Sequence, residues 1–122
     1  MKLKPATHKN DGIIFPSHSK LAKELGFTSD KFTSESYLGK KGDYIYLSFI
    51  HSQKEGKGYL SQLMRNIFRA SYGVKIPTPM GKMEEIVRKK EFIQTWEYSK
   101  AMGDEPVEVW VKEFEMCHNE VL

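Results

Sequence analysis

The segment His51-Ser52-Gln53-Lys54-Glu55-Gly56-Lys57-Gly58-Tyr59-Leu60 carries the residue types and spacing best suited to chemistry. From Gln53 to Gly58 it reads Gln-x-x-Gly-x-Gly. An apolar, strand-like run from Tyr44 to Ile50 precedes it, and an amphipathic stretch follows. Glycines at a strand-to-helix turn leave backbone N–H groups unpaired and pointing outward, and the helix behind adds partial positive charge. Such a turn suits a pyrophosphate. The N–H groups from Lys54 to Tyr59 are the expected donors, with Lys54, Lys57 and Arg65 as supporting cations. His51, at the end of the strand, is the candidate general base. Glu35 and Glu55 are the alternatives.

Two familiar phosphate loops do not fit. A Walker A loop requires Ser or Thr after Gly-Lys, but Gly56-Lys57 is followed by Gly58-Tyr59. A dinucleotide fingerprint requires a third glycine where this chain has Ser61. The order strand, motif, helix, short strand, helix, Phe, strand, turn, strand resembles that of the GNAT superfamily of acyl-coenzyme-A N-acetyltransferases. Their coenzyme loop reads Gln/Arg-x-x-Gly-x-Gly/Ala. The resemblance runs from Asp43 to about Phe114. It implies acetyl-coenzyme A as cosubstrate, an amine as acceptor, and a coenzyme site at Gln53, Lys54, Glu55, Gly56, Lys57, Gly58 and Tyr59. It also implies that the coenzyme's pantetheine arm pairs like an added strand with the backbone of Ser48 and Ile50.

The same resemblance exposes departures. Val87 stands where such enzymes often carry a tyrosine that protonates the departing thiolate. Glu91 stands for a glycine, and Met80 falls near an expected asparagine. The proton would then come from Tyr98, Tyr72 or water. The region before Tyr44, which in this family builds much of the acceptor site, is short.

The elements that position the motif follow from pattern. Tyr44 to His51 reads as a strand, and Gly39-Lys40-Lys41-Gly42-Asp43 as a turn joining it to a weaker strand at Lys31 to Leu38. Gly12 to Phe15 is a short apolar run stopped by Pro16. Ser17 is placed to cap a helix through Leu21, Ala22 and Leu25, with Gly26 as its stop. Leu60, Leu63, Met64, Ile67 and Phe68 share one helical face, and Gly73 is expected to end that helix. Val74 to Ile76 is a short strand ended by Pro77. Residues 80–90 form a helix with Met83, Ile86 and Val87 inward. Phe92 to Tyr98 and Val107 to Phe114 form a hairpin about Gly103-Asp104. The fold class is α/β (α+β), with a GNAT-like mixed, mostly antiparallel sheet flanked by helices in a single domain over residues 1–122. Residues 1–11 are polar and expected to be mobile.

Composition narrows the function. The chain has 122 residues, 39% hydrophobic and 29% charged, with a net charge of +3. That charge suits an anionic ligand but does not demand nucleic acid. Trp96, Trp110, Phe92 and Tyr98 recur with a core-like period, and the basic residues do not line up beside them as a nucleic-acid platform would need. No apolar run reaches the roughly 20 residues of a membrane span. Met1 to Pro5 lacks the apolar core of a signal peptide, and the one cysteine, Cys117, cannot form an internal disulfide, so a cytoplasmic location is expected. His8, His18 and His118 show no metal-ligand spacing. Two functions remain. The first is an N-acetyltransferase acting on an amine, a protein lysine, an N-terminus or a polyamine. The alternative is a catalytically idle protein of the same fold, of a kind that a phage could encode, that binds a protein partner.

Overall fold

A computed structural model of the chain describes residues 7, 10–54, 56–98 and 105–113. Six strands and three helices follow in the order β1 Gly12–Ile14, α1 Lys20–Glu24, β2 Tyr37–Lys41, β3 Tyr44–Phe49, α2 Tyr59–Arg69, β4 Gly73–Pro77, α3 Lys82–Lys89, β5 Ile93–Tyr98 and β6 Pro106–Lys112. The strands form one sheet in the order β1-β2-β3-β4-β6-β5. Only β3 and β4, joined through α2, run parallel, and every other neighbouring pair is antiparallel. The expected mixed, mostly antiparallel sheet is therefore present.

Alternation in the strands decides which face holds the core. Ile45 and Leu47 of β3, Leu38 of β2, and Val74 and Ile76 of β4 are buried together. Leu21, Ala22 and Leu25 around α1, Leu63, Met64 and Ile67 of α2, and Val87 of α3 complete the same cluster. All three helices thus cover one face. The other face, carrying Tyr44, Tyr46, Lys75, Thr95, Glu97 and Val111, has no helix over it among the described residues. The expectation of a sheet flanked on its faces is corrected here. Helix α1 packs beside α2, where Asn66 Nδ2 donates to the Leu25 carbonyl at 3.0 Å.

Four local expectations shift. The cap of α1 is Ser19, whose hydroxyl accepts from the Ala22 N–H, whereas Ser17 lies at φ 61° and its hydroxyl accepts from the Ser29 N–H at 2.8 Å. Gly39, Lys40 and Lys41 belong to β2, and only Gly42 and Asp43 turn the chain. Lys40 is buried with its ammonium 5.7 Å from the centre of the Tyr72 ring and 3.7 Å from Asp11, so a residue that reads as turn becomes strand. Before β2, Phe32 makes a lone bridge to Ser52 in place of a strand from Lys31. Helix α2 ends at Ala70 with Ser71 left-handed at φ 70°, while Gly73 opens β4. A Cβ on Gly73 would lie 2.8 Å from the Tyr44 ring, so that glycine is required by close approach and not by a helix stop. The strand after β5 begins at Pro106, and the Gly103-Asp104 turn and Phe114 lie outside the described residues. So do most of residues 1–11.

Candidate functional site

Strands β3 and β4 pair only at Tyr44–Gly73, Ile45–Val74 and Tyr46–Lys75. Both continue, to Phe49 and Pro77, without a ladder between them. Their C-terminal halves therefore carry no ladder, and this unpaired stretch of the seam is termed the wedge. On its other side β3 carries one extra residue, because Leu38 pairs with Leu47 but Tyr37 pairs with Phe49. Ser48 is that bulged residue, and a bulge re-aims the backbone and releases it from the ladder.

Beyond the bulge the chain is held firmly from the β2 side. The His51 N–H donates to Ser36 Oγ at 2.9 Å, and the His51 carbonyl accepts from the Thr33 N–H at 2.9 Å. The Gln53 N–H donates to the Lys31 carbonyl at 2.7 Å. In an extended chain alternate residues point their backbone groups to opposite sides. With His51 and Gln53 turned toward β2, Ile50 and Ser52 face the wedge. Ile50 has no ladder partner there among the described residues.

The motif then turns into α2 through two left-handed glycines, Gly56 at φ 78° and Gly58 at φ 73°. A Cβ at either position would meet nothing within 4 Å, so the turn borders open space. Gly58 occupies the cap position of α2 without a capping side chain. The first-turn N–H groups of Tyr59, Leu60 and Ser61 therefore point out of the helix with no side-chain acceptor among the described residues. Lys54 and Lys57 are exposed beside the turn, and Arg65 is exposed farther along α2. Glu55 lies outside the described residues.

The remaining expected residues are dispersed. Gln53 Nε2 donates to the Ser29 carbonyl at 3.2 Å, so this side chain ties the motif to the preceding loop. His51 is exposed at the mouth of the wedge, and Glu35 is exposed on the loop beside Ser36. Tyr98 is 75% exposed on β5, with β4 and β6 between it and β3. Tyr72 precedes Gly73, at the closed end of the β3–β4 seam, and burial raises its hydroxyl above the usual tyrosine range. Val87 is completely buried in the core beneath the sheet. Met80 is 75% exposed. Cys117, His8 and His118 lie outside the described residues. Among the described residues no three His, Cys, Asp or Glu side chains converge on a common point, and no helix is long and apolar enough to cross a membrane.

Two features were not visible in the sequence. Lys31 places its ammonium 5.9 Å from the centre of the Tyr59 ring, adding a cation where α2 begins. Phe32 packs against both Phe27 and Tyr59, with ring centres 5.1 and 6.4 Å apart, and so fixes that helix start from the loop side.

On the bare face, a network joins three strands. Lys75 Nζ donates to Glu97 Oε2 at 2.6 Å and to the Tyr46 hydroxyl at 3.3 Å, and Tyr46 donates to Glu97 Oε1 at 3.0 Å. Burial opposes the Lys75 charge, but the bonds to Glu97 and Tyr46 outweigh it and hold the ammonium above the usual lysine range. Burial likewise opposes the Glu97 charge, and the bonds from Lys75 and Tyr46 prevail to keep the carboxyl below its ordinary value. Next to this network a shallow open pocket of about 440 Å³ is lined by Tyr44, Lys75, Ile93, Thr95 and Glu97 among others. Searched against models of known families, characterised proteins and solved structures, the chain finds no match in any of the three.

Proposed function

We propose that the chain is an acyl-coenzyme-A-dependent N-acetyltransferase that passes an acetyl group from acetyl-coenzyme A to an amine. The observation that carries this reading is the wedge between β3 and β4, which opens toward the uncapped start of α2. An extended chain entering the wedge meets an unpaired strand edge at Ile50, and an anion at its far end meets the N–H groups of Tyr59 to Ser61. A pantetheine arm followed by a pyrophosphate has that combination of features. Lys31, Lys54 and Lys57 add positive charge at the phosphate end.

The residues then take these roles. The backbone around the Ser48 bulge supplies an N–H for the thioester carbonyl oxygen as negative charge develops on it. His51, its backbone fixed and its side chain exposed at the mouth, accepts the proton of the attacking amine through water. The bare face beside the wedge leaves room for an amine carried by a protein or by a small molecule.

The bare face also favours a second reading. A sheet surface with two tyrosines and an ion pair resembles a recognition surface, and Val87 removes the tyrosine expected of an enzyme of this kind. In that reading the chain binds a protein partner and performs no chemistry. Titration calorimetry and thermal unfolding with acetyl-coenzyme A separate the two. Coenzyme at ~100 times its dissociation constant is expected to add about 2.7 kcal/mol of stability. No heat of binding and no shift would remove the acetyltransferase reading and leave the partner-binding one.

A further inference from the structure

Strand β5 ends the sheet, and its outer edge pairs with no strand among the described residues. Its ladder to β6 is regular over all six pairs, from Ile93–Val111 to Tyr98–Pro106. Sheet edges are commonly blunted by brevity, proline, lysine, a bulge or an inward-pointing charge. Strand β1, at the opposite edge, is blunted by its length of three residues. Strand β5 reads Ile-Gln-Thr-Trp-Glu-Tyr and has no proline, no lysine and no bulge. Its one charge, Glu97, is drawn in over the bare face and bonded by Lys75 and Tyr46, which takes it away from the edge.

The exposed apolar surface is concentrated on the same strand. Ile93 is 72%, Trp96 58% and Tyr98 75% exposed. Register sorts them by face. Gln94 lies level with Trp110 and the core residue Ile76, so Gln94, Trp96 and Tyr98 share the helix-bearing face, and Ile93, Thr95 and Glu97 share the bare one. An open backbone edge flanked by exposed rings fits another extended strand.

The residues of β5 fit a copy of themselves. Directly opposite residues of an antiparallel pair share a face, so a two-fold pairing of β5 with its copy must centre on a residue. Centred on Glu97, two carboxylates would oppose each other. Centred on Gln94, Glu97 would come level with Glu91 of the second copy. Centred on Thr95, Ile93 would face the Glu97 carboxylate. Centred on Trp96, the two indoles meet at the axis, each Tyr98 faces Gln94, and each Glu97 faces a Thr95 hydroxyl. That register opposes no like charges and gathers the exposed rings on one face, where aromatic pairs stabilise a sheet.

We propose that the occupant of this edge is a second copy of the chain, joined β5 to β5 in antiparallel register about Trp96, so that two six-stranded sheets become one. Strands β6 and β4 separate the new seam from the wedge, so the pairing uses no residue of the wedge.

Sedimentation equilibrium of the whole chain from micromolar to submillimolar concentration tests it, and a monomer–dimer equilibrium is expected. Trp96→Glu sets two carboxylates against each other at the axis. It is expected to raise the dimer dissociation constant about 30-fold or more, as loss of a central aromatic anchor does, with the circular dichroism spectrum unchanged. Tyr98→Lys, at a more exposed position, is expected to act in the same direction and serves if Trp96→Glu does not fold. Replacing the one native cysteine by Cys117→Ser allows a register test. In that background Trp96→Cys is expected to cross-link two chains on mild oxidation, since opposite Cα atoms in an antiparallel pair lie about 4.5–5.5 Å apart. Gln94→Cys, whose copies sit on either side of the axis, is expected not to. A monomer at every concentration overturns the proposal. So does a dimer that neither Trp96→Glu nor Tyr98→Lys weakens, which places the interface elsewhere. Cross-linking through Gln94→Cys and not through Trp96→Cys overturns the register.

Discussion

Ser36 holds His51 by both of its backbone groups. The completely buried Ser36 hydroxyl accepts the His51 N–H at 2.9 Å and donates to the His51 carbonyl at 3.2 Å. A side chain on the loop before β2 thereby replaces the strand partner that the chain loses at the bulge. Ser36→Ala leaves the His51 carbonyl with the Thr33 N–H but strips the His51 N–H of its acceptor. An expected loss of about 1–3 kcal/mol follows from leaving a part-buried donor unpaired. Urea unfolding of the variant measures it, and an unchanged midpoint would show that water replaces the hydroxyl.

His51→Ala separates that scaffold from chemistry, because the clamp is on the backbone and survives the change. The fold and the affinity for acetyl-coenzyme A are expected to stay intact. Acetyl transfer is expected to drop about 100-fold if the imidazole receives the amine proton. Equal rates for parent and variant would transfer that role to Glu35 or to a chain of water.

Gly56→Asp combined with Gly58→Asp tests the turn. Both positions are left-handed, where a side chain costs about 1–2 kcal/mol apiece. Neither Cβ would touch the protein, and aspartate is among the residues that best tolerate this conformation. The double variant is therefore expected to keep its circular dichroism spectrum while losing measurable coenzyme binding through added negative charge. Unaltered affinity in calorimetry would remove the turn from the site.

Val87→Tyr is expected to damage the protein and not to restore an acid. Val87 is completely buried against the sheet, and its carbonyl accepts from the Phe92 N–H at 3.0 Å. The larger ring overfills that space at a cost of roughly 1–3 kcal/mol. A lower melting temperature without faster thiol release is the expected result. A gain in rate would show that position 87 reaches the reacting sulfur.

The Lys75–Glu97 pair sets a pH dependence at each end. The Glu97 carboxyl is depressed in the folded chain, so its contribution is present above the ordinary carboxylate range, near 4.3, and is lost as pH falls through the folded value. The Lys75 ammonium is raised, so its contribution is present below the ordinary lysine range, near 10.4, and is lost as pH rises through the folded value. Glu97→Gln is expected to flatten the acid limb of stability measured by urea unfolding between about pH 5 and 2, relative to the parent. Identical limbs would mean that the pair is solvated in solution.

Elements with a strong period were legible from the residues alone. The stripe of Leu63, Met64 and Ile67 and the alternation around Ile45 and Leu47 specify α2 and β3, since one repeat fits a helix and the other a strand. The motif's place between them was legible for the same reason. What composition misjudged was decided by distant contacts. Gly39 and Lys40 look like turn residues, but Lys40 is drawn into β2 by Tyr72 and Asp11. Gly73 looks like a helix stop, but the Tyr44 ring is what requires it. The part played by Lys31 depends on Tyr59, and that of Tyr46 on Lys75 and Glu97. No local pattern announces such pairings, because each joins positions far apart in the chain.

The short β3–β4 seam has a mechanical consequence. Strands β1, β2 and β3 pair antiparallel in chain order, and β4, β6 and β5 form a second antiparallel unit. Three ladder pairs join their backbones, with α2 on one face and the bonds of Tyr46 to Lys75 and Glu97 on the other. Cooperative units in a protein part where few bonds cross, and this three-pair seam is one such line. In hydrogen exchange the amides on either side of the seam would open together, at lower energy than those of the longer β2–β3 and β5–β6 ladders. A strand-like guest lying in the wedge would lengthen the seam and weld the two units into one.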